Sequence, residues 1–339
     1  MPRPIPFSGG SATAHMISDP QPGQVLDERF AIQELIGRGG MGSVFKATDL
    51  STGRSVALKF PFFELESNPA FYARFERETQ IGARLDHPGI LKILPVNHPS
   101  RPYVAMEFLE GETLWDLLQR VHPLPVADAL RLALPICDVL EYLHTCQVVH
   151  RDLKPTNIMI CHDGSLRLMD FGIAMSAQAR KLTLAGFTGR MGTAQYMAPE
   201  QVNGQRGDAR TDVYGLGAML YEMTTGHAPY DGEPDLYSVM NARLSGDPVA
   251  PRVHNPKLCP ELEEIILHAM ERDPRDRYQA IRDMKLDLAE PGRVQVTGRA
   301  ARLKVPTSGA HRWRLAGGIA LAFAMPVILF FLFLLAFKR

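Results

Sequence analysis

Hydrophobic and polar residues alternate along the first part of the chain, between residues 28 and 110. Four segments show the alternation most clearly: FAIQELIG (30–37), SVFKATDL (43–50), SVALKF (55–60) and YVAMEF (103–108). Because successive side chains of a β-strand point to opposite faces, these segments predict antiparallel strands joined by short turns. Between the third and fourth strands, residues 70–85 follow a helical pattern that ends before the Asp86-His87-Pro88-Gly89 breaker.

From Thr113 onward the apolar positions follow a helical period, as in LWDLLQRV and ALRLALPICDVLEYLHT. Two short strands are expected near residues 157–160 and 166–169, followed by more helix to about residue 288. The pattern predicts an α+β protein with a β-rich lobe (28–109) and a larger helical lobe (110–288), without an internal repeat. Residues 1–27, rich in Pro, Gly and Ser, are expected to be flexible.

The end of the chain has a different pattern, because residues 315–337 (LAGGIALAFAMPVILFFLFLLAF) contain no charged residue. A helix of this length spans a hydrocarbon core of roughly 30 Å, and membrane helices tolerate a proline such as Pro326. We therefore expect a single transmembrane helix. The alternative is a buried helix of a soluble protein, and it is disfavoured because the chain offers nothing after residue 339 to cover it.

Basic residues orient this helix. The predicted linker, 289–314, has no acid from Pro291 onward and contains six basic residues: Arg293, Arg299, Arg302, Lys304, Arg312 and Arg314. The positive-inside bias places this side in the cytoplasm, so we expect a single-pass membrane protein whose preceding domain is cytoplasmic. The linker either sets topology alone or also binds anionic lipid.

Overall charge, cysteine content and the N-terminal sequence argue against several classes of protein. Lys plus Arg equals Asp plus Glu at 37 each, which gives no reason to expect a nucleic-acid partner. The four cysteines form no CxxC pair, so we expect reduced thiols and neither a zinc site nor a disulfide framework. The N-terminus has no apolar core of signal-peptide length.

A glycine-rich segment follows the first long strand. It consists of Gly37, Arg38, Gly39, Gly40, Met41, Gly42, Ser43 and Val44, with the spacing GxGxxGxV. A dinucleotide-binding turn shares the first six positions but opens a helix, whereas this chain continues as strands VFKAT and SVALK. We therefore predict a β-hairpin whose backbone N–H groups approach phosphate oxygens; a hairpin without a ligand is the alternative.

Lys59 lies on the third strand, on the same face as Ala57. A lysine in a strand is usually solvated, so a functional role requires an acid to hold it. Glu78 shares the apolar face of the 70–85 helix with Phe71 and Phe75, whereas Glu76 is turned away. An inward carboxylate needs a partner, and Lys59 is the candidate.

Two further motifs determine the class. HRDLKPTN occupies residues 150–157, and Asp170-Phe171-Gly172 begins thirteen residues after Asn157. These segments resemble the catalytic loop and the metal-binding motif of protein kinases. The resemblance extends from about residue 30 to 288, and the segments GRGGMGSVF and DVYGLGAMLYEMTTG resemble bacterial members of the eukaryote-like (Hanks-type) serine/threonine kinases.

The resemblance implies ATP and Mg²⁺ as cofactors, with Mn²⁺ as a possible substitute, and protein hydroxyls as substrates. It implies that Asp152 orients the hydroxyl and accepts its proton, Lys154 steadies the γ-phosphate, and Asn157 and Asp170 hold the metal. The adenine ring would lie among side chains and backbone of five residues: Val44, Ala57, Glu107, Leu109 and Met159. The lysine of HRDLKP favours serine/threonine over tyrosine specificity.

Regulation is also implied by the resemblance. Arg151, before the catalytic aspartate, is typical of kinases whose activation segment is ordered by phosphorylation. Thr183 and Thr188 are the expected autophosphorylation sites, or else ordinary loop hydroxyls, whereas Thr193 is expected to contact the catalytic Asp and Lys. Scaffold roles are expected for three further residues: Glu200 and Arg277 as a buried pair, and Asp212 as a brace of the catalytic loop.

Three alternatives remain open from the sequence. A pseudokinase would bind a partner without chemistry, but such proteins usually lack one of the catalytic residues. A small-molecule phosphotransferase is disfavoured by the complete activation segment through Ala198-Pro199-Glu200. A membrane-tethered scaffold with incidental kinase activity is the third. The sequence also leaves open whether two kinase domains must form a homodimer for activation.

Overall fold

The computed structural model of the chain describes residues 19–39, 42–62, 69–97, 99–170, 194–231, 233 and 235–304, except for the side chains of residues 69–74, 78 and 194. No helix within these residues is long and apolar enough to cross a membrane. The predicted membrane helix at 315–337 lies outside this part of the chain, as do Thr183, Thr188 and Thr193.

The first lobe contains a six-stranded antiparallel sheet in the order β1-β2-β3-β4-β6-β5. Its strands are β1 (Val25–Leu26), β2 (Phe30–Arg38), β3 (Gly42–Asp49), β4 (Arg54–Pro61), β5 (Ile93–Leu94) and β6 (Val104–Glu107). Helix α1 (Pro69–Gly82) connects β4 to β5. The four strands predicted from alternation and the helix predicted over 70–85 are therefore confirmed, with ends that differ by up to three residues.

Alternation produces the core of this lobe. Every second side chain of β3 is buried, and Phe45 meets Phe60 of β4 edge to face with ring centroids 5.8 Å apart. Tyr103 closes the cluster against Phe30, also edge to face, at 6.0 Å. Aromatic pairs in this geometry add to the free energy gained from burial, so the sheet that carries the glycine-rich hairpin has a rigid base.

The predicted flexible segment 1–27 is wrong for its last nine residues, 19–27. Val25 and Leu26 pair with β2 as strand β1, and Leu26 is buried in the core of the lobe. Upstream of the strand, the amide of Gly23 donates to the carbonyl of Ile32 over 2.9 Å. Backbone pairing and one apolar anchor order a segment whose composition alone indicates a linker.

The second lobe is mainly helical. Its helices are α2 (Leu114–Arg120), α3 (Val126–Thr145), α4 (Pro199–Val202), α5 (Ala209–Thr225), α6 (Leu236–Ser245), α7 (Pro251–His254), α8 (Pro260–Ala269), α9 (Ile281–Ala289) and α10 (Arg299–Arg302). Helix α5 is buried along most of its length and is the central element. Asp208 caps its first turn and Gly226, with φ 75°, ends it in the left-handed region.

A small sheet at the junction of the lobes carries the candidate catalytic segment. Strands β7 (Gly111–Thr113), β8 (Ile158–Cys161) and β9 (Leu166–Leu168) pair antiparallel in that order. The chain between α3 and β8 contains residues 146–157, and β9 leads directly to Asp170. The amide of Leu91, next to the first lobe's β5, donates to Leu168 over 3.0 Å, so backbone pairing connects the lobes beside this sheet.

The helical lobe continues beyond the predicted limit at residue 288. Val294 packs against its core, and Arg299 of α10 lies against α8, where it contacts Glu264 and Glu271. The backbone amide of Lys304 donates to Asp247 over 2.8 Å. Residues 289–304, predicted as the first part of a linker, are therefore packed against the lobe as far as the structure describes them.

Candidate active site

The glycine-rich segment forms the turn between β2 and β3. Gly37 lies opposite Val44 at a register shift, and the amide of Gly39 donates to the carbonyl of Gly42 over 2.9 Å. A Cβ at Gly42 would lie 1.9 Å from the carbonyl oxygen of Phe60, so a side chain there would displace the backbone of β4. The predicted hairpin is confirmed; Gly40 and Met41 at its tip lie outside the described residues.

A carboxylate from the N-terminal segment holds the base of this hairpin. Arg38 on β2 and Ser43 on β3 are cross-strand partners. Asp19 accepts hydrogen bonds from the guanidinium of Arg38 and from the hydroxyl of Ser43, each over 3.1 Å. The sequence gives no sign of this contact, since residue 19 falls in the segment predicted to be flexible.

Apolar side chains form a small cluster beneath the hairpin. Ala57, Leu91 and Met106 are its buried members. Four partly buried residues pack against them: Val44, Phe108, Leu109 and Met169. Three of the five residues predicted to contact adenine, Val44, Ala57 and Leu109, are thus brought together.

Two methionines and a glutamate complete the comparison with the predicted pocket. Met169, which no sequence motif marks, packs against the cluster. Met159 lies half-buried on β8 opposite Thr113 and Arg167. Glu107 turns its carboxylate toward the chain before β5, where it accepts from the amide of Lys92 over 2.9 Å. If Glu107 binds a nucleotide, it would do so through its backbone groups, as predicted, because its carboxylate is bound to the amide of Lys92.

Lys59 and Asp170 form an ion pair across the cleft, with Nζ and Oδ1 2.5 Å apart. Burial acts to raise the pKa of Asp170, but the charge and hydrogen bond of Lys59, with the charges of Lys154 and His150, outweigh it and hold the pKa below its usual value. Asp170 is therefore a carboxylate at neutral pH. The side chain of Glu78, the predicted partner of Lys59, lies outside the described residues.

The loop after α3 brings together two predicted catalytic residues, Asp152 and Lys154, and the predicted metal ligand Asn157. Lys154 Nζ donates to Asp152 Oδ2 over 2.7 Å. Asn157 Nδ2 donates to the carbonyl oxygen of Asp152 over 2.8 Å and to its Oδ2 over 3.2 Å. The 3₁₀ turn Pro155–Asn157 places Asn157 on the same side as Asp152. Both donors fix the orientation of the Asp152 carboxylate, which is the group expected to act as the base.

Asp212 braces this loop from below, as predicted. Its carboxylate accepts from the backbone amides of His150 over 2.9 Å and Arg151 over 2.8 Å. His144 of α3 contacts the same carboxylate through Nε2 at 2.8 Å. The role of His144 leaves no local pattern in the sequence, because it lies 68 residues from Asp212 and only the fold brings the two together.

Buried polar side chains hold residues 195–198, at the end of the predicted activation segment. Tyr196 donates to Glu222 of α5, and burial together with the nearby Glu222 charge raises the pKa of the Tyr196 hydroxyl. Arg243 of α6, fully buried, donates to the carbonyl of Gln195 over 2.7 Å. Gln201 of α4 accepts from the amide of Ala198 over 3.0 Å. No sequence pattern marks these contacts in advance.

The predicted buried pair of Glu200 and Arg277 is confirmed. Two hydrogen bonds, of 2.9 and 2.7 Å, join the guanidinium to the two carboxylate oxygens. Burial acts to raise the pKa of Glu200, but the Arg277 hydrogen bonds and charge, with a hydrogen bond from Thr211, hold the pKa below its usual value. This pair anchors α4, and with it the end of the 194–198 loop.

The residues present fit a nucleotide with a hard divalent cation. Mg²⁺ is usually bound through one or two protein carboxylate or amide oxygens together with phosphate oxygens and water. Asp170 and Asn157 supply such oxygens, and Lys59 supplies an ammonium group beside Asp170. The side chains of Lys59 and Asp170 remain 30% and 50% exposed, so a phosphate chain from solvent can reach both.

Comparison with known proteins agrees with this arrangement. The family model of the protein kinase domain matches residues 30–286, which is most of the chain. The chain therefore belongs to the protein kinase family. It has the two-lobed fold and the glycine-rich hairpin of that family, and its candidate catalytic residues lie between the lobes.

The similar proteins are bacterial serine/threonine kinases. A probable serine/threonine-protein kinase of Streptomyces coelicolor is 36% identical over 291 residues, which cover 84% of this chain and 43% of that protein. Serine/threonine-protein kinase PknB of Mycobacterium tuberculosis is 36% identical over 268 residues, covering 78% of this chain and 43% of the relative. This chain thus matches less than half the length of these curated relatives.

Solved structures show the same fold. The kinase domain of PknI from Mycobacterium tuberculosis superposes with a TM-score of 0.64 at 24% identity, covering 80% of this chain and all of that domain. At that identity the likeness concerns the fold alone.

Proposed function

We propose that this protein is a serine/threonine protein kinase that transfers the γ-phosphoryl group of ATP to hydroxyl groups of proteins. One observation carries the proposal: the Asp152 carboxylate is held by Lys154 and Asn157, in a chain that also pairs Lys59 with Asp170. The first group of residues orients an acceptor hydroxyl, and the second binds the phosphate chain and its cation.

Each residue has a separate task in this proposal. Bound Mg-ATP supplies the phosphoryl group and a cation that spreads its negative charge. Asp152 accepts a hydrogen bond, and then the proton, from the acceptor hydroxyl. Lys154, 2.7 Å from Asp152, is placed to neutralise charge on the phosphoryl group as the hydroxyl approaches. Lys59 positions the phosphates, and Asn157 and Asp170 provide oxygen ligands for the cation.

The test is the incorporation of labelled phosphate from ATP by the fragment 1–310, beside Asp152→Asn and Lys59→Met. The proposal predicts Mg²⁺-dependent incorporation into the fragment or into a generic basic protein, and its loss in both variants. Incorporation into aminoglycosides instead of proteins would indicate a small-molecule phosphotransferase. Tight ATP binding without incorporation into any acceptor would indicate a pseudokinase.

Autophosphorylation forms part of the same proposal. Thr183 and Thr188 are the candidate acceptors, on the grounds of their place in the activation segment and the preceding Arg151. Mass spectrometry of active enzyme should find phosphate on at least one of them. Active enzyme in which neither is modified would contradict this assignment, and double replacement by alanine would then leave the activity unchanged.

We also propose that the kinase domain is tethered to the cytoplasmic face of a bacterial membrane by a helix at 315–337. The support is the uncharged length of that segment and the basic residues before it. The full chain should sediment with membranes and resist extraction by alkaline carbonate, whereas the fragment 1–310 should not. Extraction of the full chain by carbonate would contradict an integral anchor.

Binding of anionic lipid by the basic linker 289–314 is a separate proposal. The structure shows which of its basic side chains are exposed and could contact lipid. Arg299 faces the protein, in contact with Glu264, whereas Arg302 and Lys304 are exposed. Neutralising Arg302 and Lys304 in the fragment 1–310 should lower its binding to anionic liposomes. Unchanged binding would indicate that the segment only sets the topology.

A homodimer of kinase domains is a further proposal, and sedimentation equilibrium of the fragment 1–310 would detect it.

A further inference from the structure

Gln201 lies between two segments of the active site. It belongs to the short helix α4 and is 3% exposed. Its Nε2 donates to the carbonyl oxygen of Arg151 over 2.8 Å, and its Oε1 accepts from the amide of Ala198 over 3.0 Å. The first contact is in the catalytic loop and the second is at the end of the 194–198 loop, so one rigid amide group joins the two.

The contact in the catalytic loop falls on a strained peptide. Arg151 has φ 64°, in the left-handed region that side chains other than glycine rarely adopt. Such a conformation is unfavourable in isolation and persists only where the surroundings over-determine it. Asp212 accepts from the amide of Arg151 over 2.8 Å, and the amide of Asp152 donates to His150 Nδ1 over 3.2 Å. Gln201 binds the carbonyl oxygen between these two amides.

Two of these contacts act on the Arg151–Asp152 peptide itself, Gln201 on its carbonyl oxygen and His150 on its N–H, and Asp212 holds the N–H of the peptide before it. Asp212 and His150 bind the amides of Arg151 and Asp152. Gln201, on the helix that follows the 194–198 loop, binds the carbonyl oxygen of Arg151. Rotation of this peptide would swing the Asp152 side chain, because the carboxylate follows the backbone that carries it. The orientation of Asp152 is therefore coupled to the position of Ala198.

We propose that Gln201 is a positioning residue that aligns the catalytic Asp152 with the 194–198 loop. The loop is also fixed from its other side, where Arg243 holds the carbonyl of Gln195. Because Gln201 binds both this loop and the carbonyl of Arg151, it holds the catalytic loop at a fixed distance from the 194–198 loop. These two hydrogen bonds act on the backbone of the catalytic loop and of Ala198, so we expect the effect of Gln201 on transfer to protein and not on ATP binding. The inference rests on the proposed phosphoryl transfer.

Two substitutions in the full chain separate the roles of the amide. Gln201→Met keeps the approximate shape but removes both hydrogen bonds. Gln201→Glu keeps an acceptor for the Ala198 amide, and an ionised carboxylate has no proton to donate to Arg151. The exposed Gln205, just after the same helix, provides the matched control Gln205→Glu.

We expect kcat with a protein substrate to fall by about tenfold or more in Gln201→Met, since a buried carbonyl loses a side-chain donor. KM for ATP should stay within about twofold of the original, and Gln205→Glu should behave as the unmodified chain.

The pH dependence of Gln201→Glu provides a second test. In Gln201→Glu the introduced carboxyl group can donate to Arg151 only when it is protonated. The kcat of this variant relative to the unmodified chain should therefore rise as pH falls from about 8.5 to about 6, a range in which a buried carboxyl group can titrate.

A readout that does not need activity accompanies the kinetics. Hydrogen exchange should be faster in peptides covering residues 150–153 of Gln201→Met than in Gln205→Glu. The test thereby stands even if the unmodified chain transfers no phosphate, a result that would count against the proposed function alone. The proposal is wrong if Gln201→Met lowers the melting temperature while exchange at 150–153, kcat and the pH profile of Gln201→Glu match the control.

Discussion

Two residues of the candidate active site, Arg151 and Asp170, have left-handed backbone conformations, with φ 64° and 47°. Each is held by charged partners that the fold brings from elsewhere. Asp212 accepts from the amide of Arg151, and Lys59 pairs with the side chain of Asp170. Strain of this kind is common where a site must hold reactive groups in one orientation. The catalytic loop and Asp170 are thus held in place by contacts between distant residues.

The buried pair of Glu200 and Arg277 should be among the most sensitive single sites. Arg277→Met would leave Glu200 in a buried position without its cation, since the Arg277 and Glu200 side chains are 0% and 7% exposed. Removing one partner of a buried ion pair typically destabilises by about 3–5 kcal/mol. We expect a loss of that order in chemical denaturation of the fragment 1–310. The control Arg275→Met removes an exposed guanidinium paired with Asp273 and should leave stability nearly unchanged.

Asp19 provides a test of the N-terminal contact with the glycine-rich hairpin. Asp19→Ala removes both the Arg38 and the Ser43 hydrogen bonds, so the base of the hairpin should become more mobile. Because the ion pair is partly exposed and weak, we expect KM for ATP to rise only about two- to fivefold. KM for the protein substrate should not change. Glu34→Ala, which alters an exposed acid on β2, is the control, and an equal rise of KM there would refute a specific role for Asp19.

The catalytic residues themselves are largely predictable from the sequence, because HRDLKPTN and DFG keep them close together along the chain. The structure brings Asp152, Lys154 and Asn157 into contact with one another. The residues that hold them are not predictable in this way. Gln201 contacts a residue 50 positions away, and Arg243 one 48 positions away, so neither contact leaves a local pattern.

At the scale of elements, regular segments are predictable and irregular ones are not. Strands β2 to β4 and helix α1 show clear periodicity, which a packed sheet or an amphipathic helix requires. Residues 19–27 and 289–304 show none, and their composition alone predicts flexible or linking segments. They are ordered by a few specific contacts instead, such as the backbone pairing of Val25 and the ion pair of Arg299.

Arg299 should determine whether the 289–304 segment stays on the lobe. Its guanidinium donates to Glu264 over 2.6 Å and to Glu271 over 3.0 Å, and its side chain is 17% exposed. Arg299→Ala should release the segment and make it sensitive to limited proteolysis. Arg302→Ala, in the same short helix but exposed, is the matched control. Equal protease resistance of the two variants would contradict a clamping role for Arg299.

Glu264 adds a pH dependence at the same contact. Burial acts to raise its pKa, but hydrogen bonds from Thr297 and Arg299 outweigh burial and lower the pKa to about 2. Because the pKa is lower in the folded than in the unfolded chain, the stabilisation is complete above about pH 4.5 and disappears as pH falls toward 2. The unfolding free energy should therefore decline over this window. Glu264→Gln should show a shallower decline, and an equal slope would contradict the assignment.

At the scale of the molecule, the site exists only where the two lobes meet. Lys59 comes from the sheet of the first lobe, whereas Asp152 and Asp170 come from the second. Periodicity predicts two lobes, one β-rich and one helical, but their relative placement follows from the resemblance to protein kinases. The ion pair of Lys59 with Asp170 joins the two lobes at the place where a phosphate chain would bind.

The central claim is that Asp152 activates the hydroxyl of a protein acceptor in a chain that binds ATP independently of it. The most direct test compares Asp152→Asn with the unmodified chain, measuring kcat for a protein substrate and the Kd for Mg-ATP side by side. Asparagine cannot accept the proton, so kcat should fall by about 10²–10⁴-fold while Kd changes little. Equal kcat values in the two proteins would contradict the account.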